Sequence, residues 1–371
     1  MHPADDKRVH DKEARSLRAA GFEVVHLCPD PDAPRPFRVS DVDGIRIMEY
    51  PSKAGIVARI SQLRRLYRLA AELDADTYHC NEVDSWFVGV ALKIFRRKKC
   101  VFDVHEHYPS TFAESRFPPW LRPLVSGLVR LFFVALLPFT DRIVLAKRSV
   151  GNDFPCSAGR KVLVRNYTPI ANLTVMEDRA PRQPNSPLTI VHLGLFGKAR
   201  GWPEVLKALT LVNERINLKV IGVINDGTAD EFHSTVVDFG LRERVQLLDW
   251  MPFHLAFNHL LTADVGLIAF QPHVQNHVYA MPHKLFDYMA AGMSVLIPSH
   301  AVEVAPIVEN AQCGLLIDPS DPRDLALKID ELFKDPTEAF NMGVRGRHAV
   351  TDRFNWESEA IKLIKMYEGL A

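Results

Sequence analysis

Short apolar runs alternate with longer stretches of helical period along almost the whole chain. In the first half, Glu23–Cys28, Ile45–Glu49, Thr77–Cys80, Cys100–Val104, Arg142–Leu145 and Val162–Val164 read as strands. Between them, Val9–Ala20, Ile56–Leu73, Ser85–Phe95 and Leu121–Leu137 carry a helical period. Several strands are continuously apolar, which suits parallel strands covered on both faces. Residues 171–187 are proline-containing and aperiodic, and read as a linker. The pattern then restarts. Strands Leu188–Leu193, Leu218–Ile221, Val245–Leu247, Asp264–Ala269, Ser294–Ile297 and Gly314–Ile317 alternate with helices Pro203–Asn213, Asp230–Phe239, Leu255–Thr262, Lys284–Ala291, Val302–Asn310 and Pro322–Phe333. Helical patterns at Thr337–Val350 and Trp356–Leu370 end the sequence.

This alternation predicts an α/β fold of two doubly wound, Rossmann-like domains. The expected division is 1–170, a linker 171–187, 188–350, and a terminal helix 351–371 that can return to the first domain. Such sheets bind ligands at the carboxyl ends of their strands, so a cleft between the halves is the expected site. A strand should also precede the helix Val9–Ala20, where only Met1-His2-Pro3-Ala4 and a charged turn stand. Without it, a parallel sheet is left with two unpaired edges and an open core. Either the true start lies upstream, or this half is built differently.

Composition narrows the function classes. With 371 residues, 47 % hydrophobic and 24 % charged, disorder, collagen and a disulfide scaffold are excluded. Lysine plus arginine and aspartate plus glutamate both number 45, so no global charge argues for nucleic acid. The halves differ, however: residues 1–170 carry 27 basic against 20 acidic side chains, and 171–371 carry 18 against 25. Cys28, Cys80, Cys100, Cys156 and Cys313 form no CxxC pair and read as reduced thiols of a cytoplasmic protein. The charged stretch from Met1 to Leu17 is no signal peptide. Pro123–Phe139, interrupted by Arg130 and Pro138, falls short of the ~20 apolar residues of a spanning helix, so the expected protein is soluble or peripheral.

Four constellations can carry chemistry. Leu193-Gly-Leu-Phe-Gly-Lys-Ala-Arg-Gly-Trp-Pro203 joins a strand to a helix. Gly194 and Gly197 let a backbone approach a ligand, and Lys198 and Arg200 place cations at a helix start, where an anion such as a diphosphate would balance them. The alternative is a solvated basic turn. In Met281-Pro-His-Lys-Leu-Phe-Asp-Tyr-Met-Ala-Ala-Gly292, Lys284 and Asp287 share a helical face, one suited to a phosphate and the other to a ribose diol. The plainer alternative there is a surface ion pair.

Cys100-Val-Phe-Asp-Val-His-Glu-His-Tyr-Pro109 empties a buried strand into polar residues, placing Asp103, His105, Glu106 and His107 at its carboxyl edge. His105 and His107 point to opposite sides of an extended chain, so a metal site is disfavoured and His105 reads as a hydrogen-bonding or acid–base group. Tyr78-His-Cys-Asn-Glu82 is a similar strand end, and either stretch could simply cap a helix. Finally, Trp120–Phe139 is apolar around a helix, with Arg64, Arg65, Arg68 and Arg96-Arg-Lys-Lys99 in the same half. Two readings stand: a core helix, which is favoured, or an interfacial helix on an anionic membrane.

Together these residues resemble the retaining glycosyltransferases of the GT-B fold, family 4 ("glycosyl transferase group 1"). The resemblance runs from Asp6-Lys-Arg-Val-His-Asp-Lys-Glu-Ala-Arg-Ser-Leu17 to Phe354-Asn-Trp356, strongest at Pro282–Gly292 and Cys313-Gly-Leu-Leu-Ile-Asp-Pro319. The stretch Phe102–Pro109 is similar to a branch that makes bacterial surface polysaccharides. The resemblance implies metal-independent transfer of a sugar, with retention, from a nucleotide-sugar donor to a lipid-linked or saccharide acceptor, with no further cofactor. It implies that the second half binds the nucleotide and the first the acceptor. Asp287 would hold the ribose, Arg200 the diphosphate with Lys198 beside it, and His105 would lie near the donor sugar. Tyr279 stands where the family's Glu-x7-Glu pattern has an acid, and Leu195 where an arginine is usual. A non-catalytic nucleotide-binding homologue, or a nucleotide-sugar epimerase of the same fold, is the alternative.

Overall fold

The computed structural model describes residues 3–34, 36–52, 56–170 and 180–370. They form two compact units, Met1–Asn166 with Trp356–Ala371, and Tyr167–Asn355. The contact-defined boundaries therefore lie at 166 and 355, whereas the sequence pattern drew them at 170 and 350. Of the expected linker, residues 171–179 lie outside the described residues, and 180–187 form no helix or strand.

The first unit carries two sheets. Strands β1 (Val25–Asp30), β2 (Arg38–Val42) and β3 (Ile45–Pro51) make one, in the order β1-β3-β2; β4 (Thr77–Cys80), β5 (Lys99–Val104), β6 (Arg142–Leu145) and β7 (Lys161–Leu163) make the other, in sequence order. All pairs are parallel except β2 with β3. That antiparallel pair was not anticipated. Its signal is local: Asp43-Gly44, both at positive φ (56° and 73°), is the two-residue loop that matches strand twist in a hairpin. β2 is exposed along its whole length, so hydrophobic patterning could not reveal it.

The helix Val83–Arg96 packs on β4 and β5 so closely that a Cβ on Gly89 would stand 2.5 Å from the Cys80 sulfur and 2.9 Å from that of Cys100. Its Trp86 is fully buried, stacked on Phe102 at 4.2 Å between centroids, with the indole N–H donating to Thr140 Oγ1. The C-terminal helix Trp356–Glu368 covers the other face. Trp356 donates to Ser16 Oγ, and Glu359 accepts from the backbone N–H of Arg165.

The second unit holds one six-stranded, wholly parallel sheet. Its strands are β8 (Leu188–Leu193), β9 (Ile216–Ile221), β10 (Val245–Leu248), β11 (Val265–Leu267), β12 (Ser294–Pro298) and β13 (Gly314–Ile317), in the order β10-β9-β8-β11-β12-β13. The order reverses between β8 and β11, the switch point at which such sheets bind ligands. Continuous burial of β11 and β12 explains their unbroken apolar sequence.

The helix Arg122–Leu136 corrects the reading favoured above. Phe133 is its one buried residue, while Trp120, Leu124, Leu128, Leu131 and Phe132 are all at least half exposed. It is not a core helix. An apolar circumference gives no face by which to judge burial, and here the unit covers only one edge of it.

Candidate functional site

The site in the second unit is built at the carboxyl end of β8. Helix His283–Ala290 is clamped across the strands below it. The hydroxyl of Tyr288 accepts the N–H of Leu193 at 2.8 Å, and its ring lies where a Cβ on Gly266 would stand. This fixes the helix register and so aims Lys284 and Asp287. The loop after β8 turns at Gly194 (φ 91°), whose carbonyl is approached by Gly222 (φ 146°) too closely for any side chain there. Further on, the Gln271 N–H donates to the Ala199 carbonyl and pins the loop to the segment that follows β11.

Two cations meet there. Arg200 lies over the Phe270 ring at 5.6 Å and Lys284 at 5.5 Å, and His277 stacks on the same ring at 4.6 Å between centroids. Lys284 Nζ is 3.2 Å from Nε2 of His192, which also lies 2.9 Å from the Leu195 carbonyl. Burial, reinforced by the Arg200 charge, holds the Lys284 ammonium well below the usual lysine range, with Asp287 opposing. Burial also lowers Arg200. His192 is held well below the usual histidine range by burial and then by Lys284, and His277 is lowered to about 4 by burial and then by Arg200. The helix Trp202–Leu209 starts at Gly201 with no side-chain cap. A buried lysine and a partly buried arginine, the arginine next to the uncapped start of that helix, form a setting completed by an anion.

The expected residues are only partly gathered. Gly194, Arg200 and Lys284 converge. Asp287 is one turn along the same helix as Lys284, buried, and accepts the Thr168 hydroxyl at 2.8 Å. Gly197 is packed against Asp226, which accepts the Lys198 N–H at 2.7 Å. Lys198 departs from the expectation that it reinforces Arg200: its ammonium pairs with Glu231 at 2.6 Å and is half exposed. Residues two apart on a single tight turn, Lys198–Arg200, leave it on different sides. Phe270, His192, His277 and Thr168 were missed, because no spacing links them to the loop or to the helix.

His105 belongs to the first unit, after β5, with Nε2 3.3 Å from Asp103. Asp103 is not presented at an edge, as its sequence position suggested. It is fully buried and gripped by Arg8, whose Nε and Nη2 lie 2.9 and 3.0 Å from its two oxygens. Arg8, His105 and His79 hold Asp103 well below the usual carboxylate range despite burial, whereas burial and the Asp103 charge push Glu13 well above it. Glu13, His79 and Asp103 are close enough together to hold a cation, but the Arg8 guanidinium fills that role, with Nε 3.0 Å from Glu13 as well. His107 turns instead to Asp153, at 3.3 Å. The two histidines thus serve different carboxylates.

Residues 9–156 match the family model described as Glycosyltransferase Family 4, and residues 176–349 that of Glycosyl transferases group 1. The chain belongs to this glycosyltransferase family. Its fold is that of the GT-B glycosyltransferases. A sucrose-phosphate synthase from Thermosynechococcus elongatus is similar over 96 % of this chain and 91 % of its own, with a TM-score of 0.72 and 18 % identity. HepE of Anabaena, solved in complex with UDP-glucose, is similar over 86 % of each chain, with a TM-score of 0.66 and 15 % identity. Among curated proteins, a GDP-mannose-dependent alpha-(1-6)-phosphatidylinositol monomannoside mannosyltransferase of Mycolicibacterium smegmatis is 21 % identical over 182 residues. That stretch is 48 % of this chain and 47 % of the relative, about half of each.

Proposed function

We propose that this protein transfers a sugar from a nucleoside-diphosphate donor to an acceptor hydroxyl, with retention at the anomeric carbon and without a metal ion. The observation that carries the reading is the convergence of Arg200 and Lys284 on Phe270 at the β8 switch point. When the bond from sugar to phosphate breaks, its electron pair leaves with the diphosphate. Two fixed, poorly hydrated cations and helix N–H groups stabilise that growing charge and take the place of a divalent ion. Asp287 serves the ribose hydroxyls, and His105 the donor sugar. HepE, a protein of similar fold, was solved with UDP-glucose, which supports a nucleotide sugar as donor.

The acceptor in this reading is lipid-linked, in the synthesis of a bacterial surface polysaccharide, and the enzyme works at the cytoplasmic membrane face. The exposed stripe Trp120, Leu124, Leu128 and Leu131 recurs every three or four residues and lies in the half that carries Arg96, Arg97 and Lys98. The stretch Arg122–Phe139 has a mean hydropathy of 1.6 and is 11 % buried. Arg130 holds Asp153 at 2.8 Å and Phe133 enters the core, which suits a helix lying on a bilayer. The Mycolicibacterium relative, whose name places its acceptor on phosphatidylinositol, supports a lipid acceptor.

The test is donor binding by calorimetry in EDTA, followed by flotation with anionic vesicles. Arg200→Ala and Asp287→Ala should each weaken donor binding at least tenfold. Leu124→Asp with Leu131→Asp should abolish flotation and leave donor binding intact. Wild-type affinity in both site variants would defeat the assignment.

A further inference from the structure

His192, the penultimate residue of β8, is fully buried, and the sugar transfer proposed above makes no use of it. Its Nε2 stands 2.9 Å from the Leu195 carbonyl and 3.2 Å from Lys284 Nζ. These two neighbours ask opposite things of it. The carbonyl only accepts, so it needs a proton on Nε2, whereas the ammonium only donates and needs the lone pair there. A neutral imidazole offers one or the other at each nitrogen, never both. Burial, together with the Lys284 charge, keeps this ring neutral. Phe196 packs against it at 4.2 Å between centroids, and the Leu267 carbonyl of β11 lies near it. Nδ1 is buried and makes no hydrogen bond among the described residues.

Unequal costs decide which neighbour is served. A buried ammonium left facing an N–H loses more than a carbonyl left facing a lone pair, because a charged group costs more when unpaired. The Leu195 carbonyl also has a second donor, Arg200 Nη1 at 3.4 Å. In the free chain, therefore, Nε2 keeps its lone pair for Lys284 and the proton sits on Nδ1. A bound diphosphate reverses the balance, since Lys284 then releases Nε2 and Arg200 turns away from Leu195. We propose that His192 is the positioning residue of the donor site: it keeps Lys284 aimed in the free chain, and it passes to the Nε2–H tautomer, bonded to the Leu195 carbonyl, when a nucleoside diphosphate binds. Nδ1 loses one proton and Nε2 gains one, exchanged through solvent, so the ring stays neutral. The loop after β8 is thereby fastened only when donor is present. This role rests on Arg200 and Lys284 being the cations that hold the diphosphate.

The experiment is long-range proton–nitrogen correlation of protein labelled with nitrogen-15 in its histidine rings, free and saturated with UDP, GDP or dTDP, binding being followed by calorimetry. The His192 signals are those missing from His192→Gln. They should show Nδ1–H in the free chain and Nε2–H with nucleotide. His192→Phe, a ring without hydrogen bonds, should bind nucleotide at least tenfold more weakly, and His192→Gln, whose amide both donates and accepts, should stay within about threefold of the parent. A parent that binds nucleotide with its tautomer unchanged, or that carries Nε2–H when free, overturns the role of His192 and leaves the donor site standing. Parental affinity in His192→Phe does the same. A parent that binds none of the three nucleotides overturns the donor site itself, and the role of His192 with it. Should His192→Phe not fold, the tautomer of the parent decides.

Discussion

Lys284→Met should push the empty protein and the donor complex in opposite directions. In the free chain the ammonium is buried, faces a neutral imidazole at 3.2 Å and the Phe270 ring at 5.5 Å, and is repelled by Arg200 more than Asp287 attracts it. Because burial outweighs the pull of Asp287 on this ammonium, replacing it by an apolar group of similar shape should be neutral or stabilising, by on the order of 1 kcal/mol. In a unit of this size each kcal/mol moves Tm by roughly 2–4 °C, so the unliganded variant should melt at the parental temperature or a few degrees above it. With donor bound, the same ammonium becomes a charge-assisted partner of phosphate, worth about 1.5–3 kcal/mol, so affinity should fall roughly tenfold to more than a hundredfold.

The pH dependence has a definite sign. Lys284 is lowered in the folded chain, so between its folded value and the ordinary lysine range the unfolded chain binds more protons, and stability rises with pH. The Lys284→Met variant should lack that component. Calorimetric melting of parent and variant across neutral to alkaline pH, each with and without UDP-glucose or GDP-mannose, reads all three effects. A variant that melts lower when empty and binds donor normally would refute the reasoning, because Lys284 would then be structural.

Other outcomes follow from the same geometry. Arg8→Met leaves Asp103 and Glu13 buried without their cation, and should cost about 3–5 kcal/mol in urea unfolding of the first unit. Gly89→Ala drives a methyl into Cys80 and Cys100 and should cost about 1–3 kcal/mol, measured the same way. On acidification below the ordinary histidine value, the second unit should lose stability. His192 and His277 stay neutral there while the unfolded chain takes up protons, and the loss should be followed by near-UV circular dichroism.

What the sequence disclosed has a physical boundary. Parallel strands buried on both faces advertise themselves as apolar runs, so β8 and β12 begin where the pattern put them. β2 did not, being exposed throughout, although Asp43-Gly44 carried a turn signal. In the site, glycine and cation content marked the loop after β8, and helical spacing marked Lys284 with Asp287. The choice between Lys198 and Arg200 lay in the turn's handedness, which composition does not record. Phe270 and Thr168 come from segments far away in sequence and enter the site only through folding. Asp103 was noticed as a polar strand end, but its partner Arg8 lies 95 residues away, and no local pattern could bury the pair.

The measurement that bears most directly on the central claim is release of free nucleoside diphosphate, in EDTA, from a panel of UDP-, GDP- and dTDP-sugars, with Arg200→Ala run alongside. One donor class should be bound and slowly turned over by the parent without added metal, and the variant should lose both binding and release. A protein that binds none of these donors, or that releases diphosphate only when a divalent ion is restored, would contradict the account.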